Sequence, residues 1–275
     1  MLTKPENQTD FNVGIIYWFY KELDVTKNHL ELIRRSNPKA QIFGIFGGEL
    51  SDAPQFQNLL AQLLDDFWVY PGTYGTDSYD KWIHGDLMLL DWYDKRGRQL
   101  SWDSLAITQW DMLVFDEIRE ILPGLKPEQV FFSGLRELDA HLEKRWSWTK
   151  ETSPDRADYM AYRENIETNF GYRSTLKCCL YIFEILTRTF FDHYLNIPNK
   201  KLGMLEYKNP TYAEIFGIEI YQRDIGVYWD EPGQDVSKYP LNAVPIGIAK
   251  EYIELELQQA DGWRIFHPVE YIWPI

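Results

Sequence analysis

The sequence predicts an α/β fold with a mostly parallel central sheet flanked by helices. Three observations indicate this class. Short apolar runs recur through the first half of the chain, they are apolar on both faces, and amphipathic helical patterns lie between them. A strand without alternation of polar and apolar residues is typical of a parallel sheet covered on both sides. The strand-helix-strand order then implies right-handed crossovers between parallel strands.

The first elements follow this order closely. Asp24 precedes a helical pattern that Asn37-Pro38 ends, and Pro54 opens a second amphipathic helix. Between and after these helices the sequence predicts three buried strands, at 12–20, 40–46 and 67–70.

Residues 79–95 predict a further helix, with Asp86 near its middle, and 105–115 predict a fourth strand. Asp111 interrupts that apolar run, and a buried carboxylate is costly without a partner. Two explanations are open. Asp111 either caps the helical turn that follows, as an N-cap Asp does, or it holds a metal ion.

The second half of the chain is less regular. A strand is expected at 129–133, and 174–194 predict the longest helix, buried because it is apolar nearly all round. A turn is expected at Asn209-Pro210, with a final helix at 249–260 and a late strand at 263–268.

Composition excludes several classes of protein. A net charge of -14 over 275 residues argues against nucleic-acid binding, which needs a basic surface. No apolar run is as long as a membrane span. The polar residues 1–10 do not resemble a signal peptide. The only cysteines, Cys178 and Cys179, are adjacent, which fits a reducing compartment. We therefore expect a cytoplasmic protein without an integral membrane segment.

In an open parallel sheet, ligands bind at the carboxyl ends of the strands. This rule selects Phe19 and Tyr20 after the first strand, Gly47 and Gly48 after the second, and Asp111 on the fourth. Glycine lets a backbone approach a ligand closely, although an ordinary turn would also explain the pair. The first strand is not followed by a dinucleotide-binding Gly-x-Gly-x-x-Gly motif, and the chain has no P-loop Gly-Lys-Ser/Thr.

Three further stretches point to a family. They are Gln-Trp-Asp at 109–111, Leu-Glu-Tyr at 205–207 and Arg-Ile-Phe-His-Pro at 264–268. In this order, and over most of the chain, the sequence resembles a GT-A fold nucleotide-diphospho-sugar transferase, a glycosyltransferase with a Rossmann-like sheet. Such enzymes carry an Asp-x-Asp motif at the end of the fourth strand, and here the first carboxylate of that motif is replaced by an amide.

The resemblance implies a role for each stretch. Asp111 and His267 would hold a divalent metal, Mn or Mg, and Gln109 and Trp110 would lie beside it on the donor side. Glu206 would be the catalytic base, which implies inversion. The alternative for Glu206 is a solvent-facing side chain ahead of a turn.

The resemblance also implies one GT-A-like domain, with a donor-binding half at about 11–122 and an acceptor-binding half at about 123–275. The donor would be a nucleotide sugar, with a UDP-sugar expected, and the acceptor a saccharide or another hydroxyl compound. The metal would stabilise the leaving diphosphate as a Lewis acid. Asp86 would hold the uracil or ribose, or would pair with Lys81 or a nearby Arg.

Two other functions fit parts of the same pattern. A non-catalytic nucleotide- or carbohydrate-binding protein would explain the amide at Gln109. A glycoside hydrolase would use paired carboxylates across a cleft, with Asp86 and Asp111 as the candidates.

Overall fold

Six strands form the central sheet within residues 11–275, the part of the chain that the computed structural model describes. The first four strands in sequence pair in parallel, and the strand at Glu184–Thr187 runs antiparallel between those at Ser104–Gln109 and Phe131–Phe132. The predicted α/β class with a mostly parallel sheet is confirmed. The strand order is β3 (Asp66–Val69), β2 (Ile42–Phe46), β1 (Val13–Phe19), β4 (Ser104–Gln109), β9 (Glu184–Thr187) and β6 (Phe131–Phe132).

Helices and two small sheets surround this layer. The prediction that residues 1–10 are not a signal peptide concerns residues outside the described range. The small sheets pair β5 (Leu113–Val114) with β10 (Ile265–Phe266), and β7 (Arg136–Glu137) with β8 (Lys177–Cys178). The helices are α1 (Leu23–Ser36), α2 (Ala53–Leu60), α3 (Ser78–Ile83), α4 (Gly85–Lys95), α5 (Ile118–Ile121), α6 (Ala140–Arg145), α7 (Arg156–Phe170), α8 (Arg188–Tyr194), α9 (Leu205–Ile215) and α10 (Lys250–Gln258).

The sheet separates two hydrophobic cores. All seven residues of β1 are buried, and they alternate between the two faces. Ile16 and Trp18 pack in the core that includes α4, whereas Ile15 and Tyr17 pack in the core that includes α1. Each fully buried aliphatic side chain contributes about 1.5–3 kcal/mol, so burial on both faces explains the unbroken apolar runs.

The long helix predicted at 174–194 is wrong. Only its last third is helical, as α8, and the residues before it form β8 and β9. In β9, Ile185 packs in one core and Leu186 in the other. A strand covered on both faces is apolar throughout, and periodicity alone does not distinguish it from a buried helix.

The predicted turn at Asn209-Pro210 is also wrong, because both residues lie inside α9. Proline has no N–H to donate to the carbonyl four residues earlier. That carbonyl, on Glu206, instead accepts the backbone N–H of Cys179 at 2.8 Å. The Glu206 carbonyl therefore has a donor even though Pro210 lies inside the helix.

Two other predicted elements are interrupted where candidate site residues lie. The strand predicted at 105–115 ends at Gln109 and resumes as β5 after a turn at Trp110 and Asp111. The helix predicted at 79–95 breaks at His84 into α3 and α4. Within residues 11–275, no helix has the length and apolar character needed to span a bilayer.

Candidate active site

The carboxyl ends of β1, β2 and β4 lie at one edge of the sheet and bring several candidate residues together. Tyr20 is 44% exposed, and its ring lies edge-on to Trp110 with the centroids 5.9 Å apart. The Lys21 ammonium lies 4.6 Å from the Trp110 ring centroid, which places a positive charge at this edge. Phe19 instead points into the core and packs against Phe46.

Close packing explains the glycine pair after β2. A Cβ atom at Gly48 would lie 2.5 Å from the carbonyl oxygen of Tyr20, and one at Gly47 would lie 2.8 Å from Met88. The Gly47 carbonyl accepts a hydrogen bond from the Lys81 ammonium at 2.9 Å. The pair lets the ends of β1 and β2 approach closely, and its contact with a donor stays a prediction.

Asp111 and His267, far apart in sequence, meet at this edge. Nε2 of His267 lies 3.4 Å from Oδ1 of Asp111, and both residues are buried. The backbone holds them there, since Val269 N–H donates to the Asp111 carbonyl at 2.7 Å. The other imidazole nitrogen, Nδ1, lies 2.9 Å from the carbonyl of Asn242. Nε2 is therefore the nitrogen that faces the carboxylate.

The pair is electrostatically matched. Burial is the largest influence on Asp111 and would raise its pKa, but the charge and close contact of His267, a backbone hydrogen bond and the charge of His29 together outweigh it, and the pKa is lowered. Burial is also the largest influence on His267 and would lower its pKa, but the charge and close contact of Asp111, the Asn242 carbonyl and the charge of Glu270 together outweigh it, and the pKa is raised. Burial thus opposes both charges, and their mutual attraction maintains them.

These two side chains fit a divalent ion. Oδ1 of Asp111 is buried, and apart from Nε2 of His267 at 3.4 Å it has no partner, so a cation that takes the place of the His267 proton would contact both atoms. A metal-binding histidine commonly donates its second N–H to a backbone carbonyl, as Nδ1 of His267 is placed to do. Within residues 11–275, no group of three or more His, Cys, Asp or Glu side chains is arranged for a metal. The remaining ligands would come from outside these described residues, and the metal role stays a prediction.

His29, a buried residue of α1, supports the same turn. Its ring nitrogens lie 2.9 Å from the Trp110 carbonyl and 3.0 Å from the Tyr271 carbonyl. It thereby ties the turn after β4 to the segment that follows His267.

Gln109 has a structural task that a carboxylate would not perform. Its side-chain N–H₂ donates to the carbonyls of Tyr181 and Ile182 at 2.8 and 3.3 Å. An aspartate or glutamate has no donor and would place a negative charge against these oxygens. The amide thus joins β4 to the chain leading into β9.

Replacing Gln109 with Glu is expected to destabilise the protein by about 1–3 kcal/mol, because two carbonyls lose their donor. It is also expected to give no gain in Mn²⁺ affinity. Urea unfolding and Mn²⁺ titration measure the two effects. Gln259→Glu is the matched control, since that exposed amide also donates to a carbonyl. Tighter Mn²⁺ binding by Gln109→Glu without a loss of stability would contradict this role.

Glu206 lies in the first turn of α9 and is buried, not solvent-facing. Its Oε1 accepts the Tyr181 backbone N–H at 2.9 Å, and its Oε2 accepts the Trp148 indole N–H at 3.1 Å. Burial raises the pKa of the carboxyl to about 7, against these two hydrogen bonds, which lower it. A base with a pKa near neutrality is suited to proton transfer. Through residue 181, Glu206 is also connected to Gln109.

Asp86 pairs with a residue that the sequence did not indicate. Its Oδ2 lies 2.8 Å from the ammonium of Lys208 and accepts the Tyr194 hydroxyl. Lys208 is fully buried, and its ammonium also donates to the Lys200 carbonyl at 3.0 Å. The expected pairing with Lys81 or an arginine is wrong, because α9 brings an interior lysine to α4. A carboxylate held in this way is poorly suited to the hydrolase role.

No family model matches the chain, and no curated protein matches it. Among solved structures, the chain is similar to the WbbM bifunctional glycosyltransferase in its apo form, with a TM-score of 0.46 and 9% identity. The match covers 96% of this chain and 46% of that one, so this chain spans less than half of that protein's length.

Two further structures are similar over much of their own length. Mouse xyloside xylosyltransferase 1, in its apo form, gives a TM-score of 0.41 and 10% identity, covering 93% of this chain and 97% of that one. A cytidylyltransferase from Leptospira borgpetersenii gives a TM-score of 0.42 and 9% identity, covering 78% and 76%.

Proposed function

We propose that the protein transfers a sugar from a nucleotide-diphospho-sugar donor to an acceptor hydroxyl with the help of a divalent metal. The observation that best supports this proposal is the meeting of Asp111 and His267 at the carboxyl edge of the parallel sheet. That edge is where open α/β sheets bind ligands. The pairing of β5 with β10 and the hydrogen bond from the Val269 N–H to the Asp111 carbonyl hold the two side chains together at that edge.

Asp111 and His267 would hold Mn²⁺ or Mg²⁺, and the imidazole favours Mn²⁺. The bound ion would act as a Lewis acid on the leaving nucleoside diphosphate. Lys21, which lies above the Trp110 ring and 3.5 Å from Glu270, offers a second positive charge for the same diphosphate. On a protein of net charge -14, such local positive charge is needed to bind an anionic donor.

Glu206 would take the proton of the acceptor hydroxyl as it attacks the anomeric carbon, which gives inversion. A UDP-sugar is the expected donor, with Tyr20 and the Gly47-Gly48 turn beside it. Asp86 is buried in its pair with Lys208. We therefore propose that Asp86 supports the helix carrying Glu206, and that it does not contact uracil or ribose directly.

The metal site is tested by thermal unfolding with UDP, with Mn²⁺ and with both. We expect a rise in melting temperature with UDP that requires Mn²⁺ and disappears in Asp111→Ala. Loss of the carboxylate removes one of only two protein ligands. Asp261→Ala, which removes an exposed carboxylate, should behave as the wild type does. If neither UDP nor Mn²⁺ changes the melting temperature, the proposed site is wrong.

Hydrolysis distinguishes an enzyme from a binding protein. Slow release of UDP from a UDP-sugar, abolished by Asp111→Ala, supports the transferase. UDP binding that requires Mn²⁺, with no turnover of a panel of UDP-sugars, supports the alternative of a non-catalytic nucleotide-binding protein.

A further inference from the structure

We propose that Tyr79, Trp82 and Trp148 form an aromatic platform that binds a neutral saccharide as the acceptor. This inference rests on the proposed function and gives its acceptor a chemical class. It assigns the three side chains to the face of the molecule that leads to Glu206.

The platform exposes an unusual amount of aromatic surface. Tyr79 is 47% exposed and Trp82 is 55% exposed, and no residue of α3 is buried. Their spacing of three residues places both rings on one face of the helix. The ring centroids of Tyr79 and Trp82 lie 6.3 Å apart, and Trp82 lies 4.9 Å edge-on from Trp148. Adjacent exposed rings such as Tyr79 and Trp82 are typical of a binding site, and Trp148, which is partly buried and packs against the core, anchors them.

The platform is continuous with the proposed catalytic base. The indole N–H of Trp148 donates to Oε2 of Glu206 at 3.1 Å, so its ring lies directly beside that carboxylate. Trp82 extends the surface outward from Trp148. A ligand that packs along these rings would therefore end at the indole that covers the buried Glu206 carboxylate, beside the proposed position of the acceptor hydroxyl.

The surrounding charges favour a neutral ligand. The Tyr79 hydroxyl donates to Oδ1 of Asp155 at 2.6 Å. That hydrogen bond, with partial burial and the charges of Asp155 and Asp158, raises the pKa of Tyr79 to about 12. Asp80 lies in the first turn of the same short helix. Carboxylates at this surface would repel a phosphate or another anion, but they accept hydrogen bonds from hydroxyl groups.

A saccharide combines the two properties that the platform can recognise. Its C–H faces pack on aromatic rings, and its hydroxyls donate to carboxylates. A hydrophobic alcohol would use the rings but would offer the carboxylates only one hydroxyl. A peptide with an aromatic side chain could use both, and binding of the tripeptide alone is the competing outcome of the experiment.

The test uses the full-length protein labelled with fluorotryptophan and followed by fluorine NMR. The probes are cellobiose, lactose and N,N′-diacetylchitobiose, with a neutral Phe-containing tripeptide as the comparison ligand. The Trp82 resonance is assigned by its loss in Trp82→Phe. We expect at least one disaccharide to shift the Trp82 and Trp148 resonances in a saturable way. We also expect Trp82→Ala to weaken that binding by about tenfold, the equivalent of ~1.4 kcal/mol.

Phe170→Ala is the matched control, because Phe170 is an exposed aromatic residue at the end of α7. It should bind the disaccharide as the wild type does. The proposal is overturned if no disaccharide shifts Trp82, if the tripeptide alone does, or if Trp82→Ala binds unchanged. The thermal response of the wild type to UDP and Mn²⁺ reports on the donor site independently. Absence of disaccharide binding at the platform and absence of the donor site are therefore detected by separate measurements.

Discussion

Replacing Glu206 with Gln is expected to lower the rate of sugar transfer by about 10²- to 10⁴-fold, the usual contribution of a general base. The amide cannot take the proton of the acceptor hydroxyl, although it has nearly the same shape. Stability should fall only by about 1 kcal/mol, because the amide oxygen can still accept one of the two hydrogen bonds. Transfer is measured as UDP release in the presence of acceptor. Glu214→Gln, on the same helix and partly exposed, should retain the wild-type rate.

The pH dependence of Glu206 gives a second readout. Because its pKa is raised from 4.5 to about 7, the base is ionised only above about pH 7, and wild-type activity should rise through that value. The folded state also binds more protons than the unfolded state between these two pKa values. Its stability should therefore decrease as pH rises through this window. Glu206→Gln removes both effects. A stability difference between the two proteins that does not vary with pH would contradict this interpretation.

The largest loss of stability is expected from Asp86→Asn. The change leaves the fully buried Lys208 ammonium without its counter-charge, which costs about 3–5 kcal/mol. Urea unfolding measures the loss. A second variant, Asp86→Asn with Lys208→Met, also removes the buried positive charge and should recover part of the stability.

The control for this prediction is a surface ion pair. Arg173 and Glu167 lie 2.9 Å apart with side chains 80% and 53% exposed. Glu167→Gln should change the free energy of unfolding by less than about 1 kcal/mol, because solvent screens such pairs. If Asp86→Asn lowers the free energy of unfolding no more than Glu167→Gln does, the Asp86–Lys208 pair does not stabilise the contact between α4 and α9.

The first half of the fold could be predicted because local signals and tertiary structure agree there. The apolar runs at 12–20 and 40–46 form β1 and β2, and Asn37-Pro38 ends α1 as expected. The rule that ligands bind at carboxyl ends of strands also selected Asp111 before its surroundings were known. The meeting of Asp111 with His267 was expected from the family resemblance, since no local pattern links them.

The remaining features depend on contacts between distant segments. An apolar run at 174–194 is compatible with a helix or a strand, and only its position between β4 and β6 selects the strand. Lys208 looks like an ordinary surface lysine in sequence, and its burial follows from the docking of α9 against Asp86. Trp148 lies in a polar stretch of the sequence, where no local pattern indicates a site residue. Its hydrogen bond to Glu206 depends on the fold and not on spacing.

The most direct test of glycosyl transfer at this edge of the sheet is a crystal structure with UDP and Mn²⁺ bound. The account predicts one Mn²⁺ ligated by an Asp111 carboxylate oxygen and by Nε2 of His267, with its other positions filled by diphosphate oxygens and water. Lys21 should lie on the diphosphate side. A nucleotide bound elsewhere, or a metal ion that leaves the Asp111–His267 contact unchanged, would contradict it.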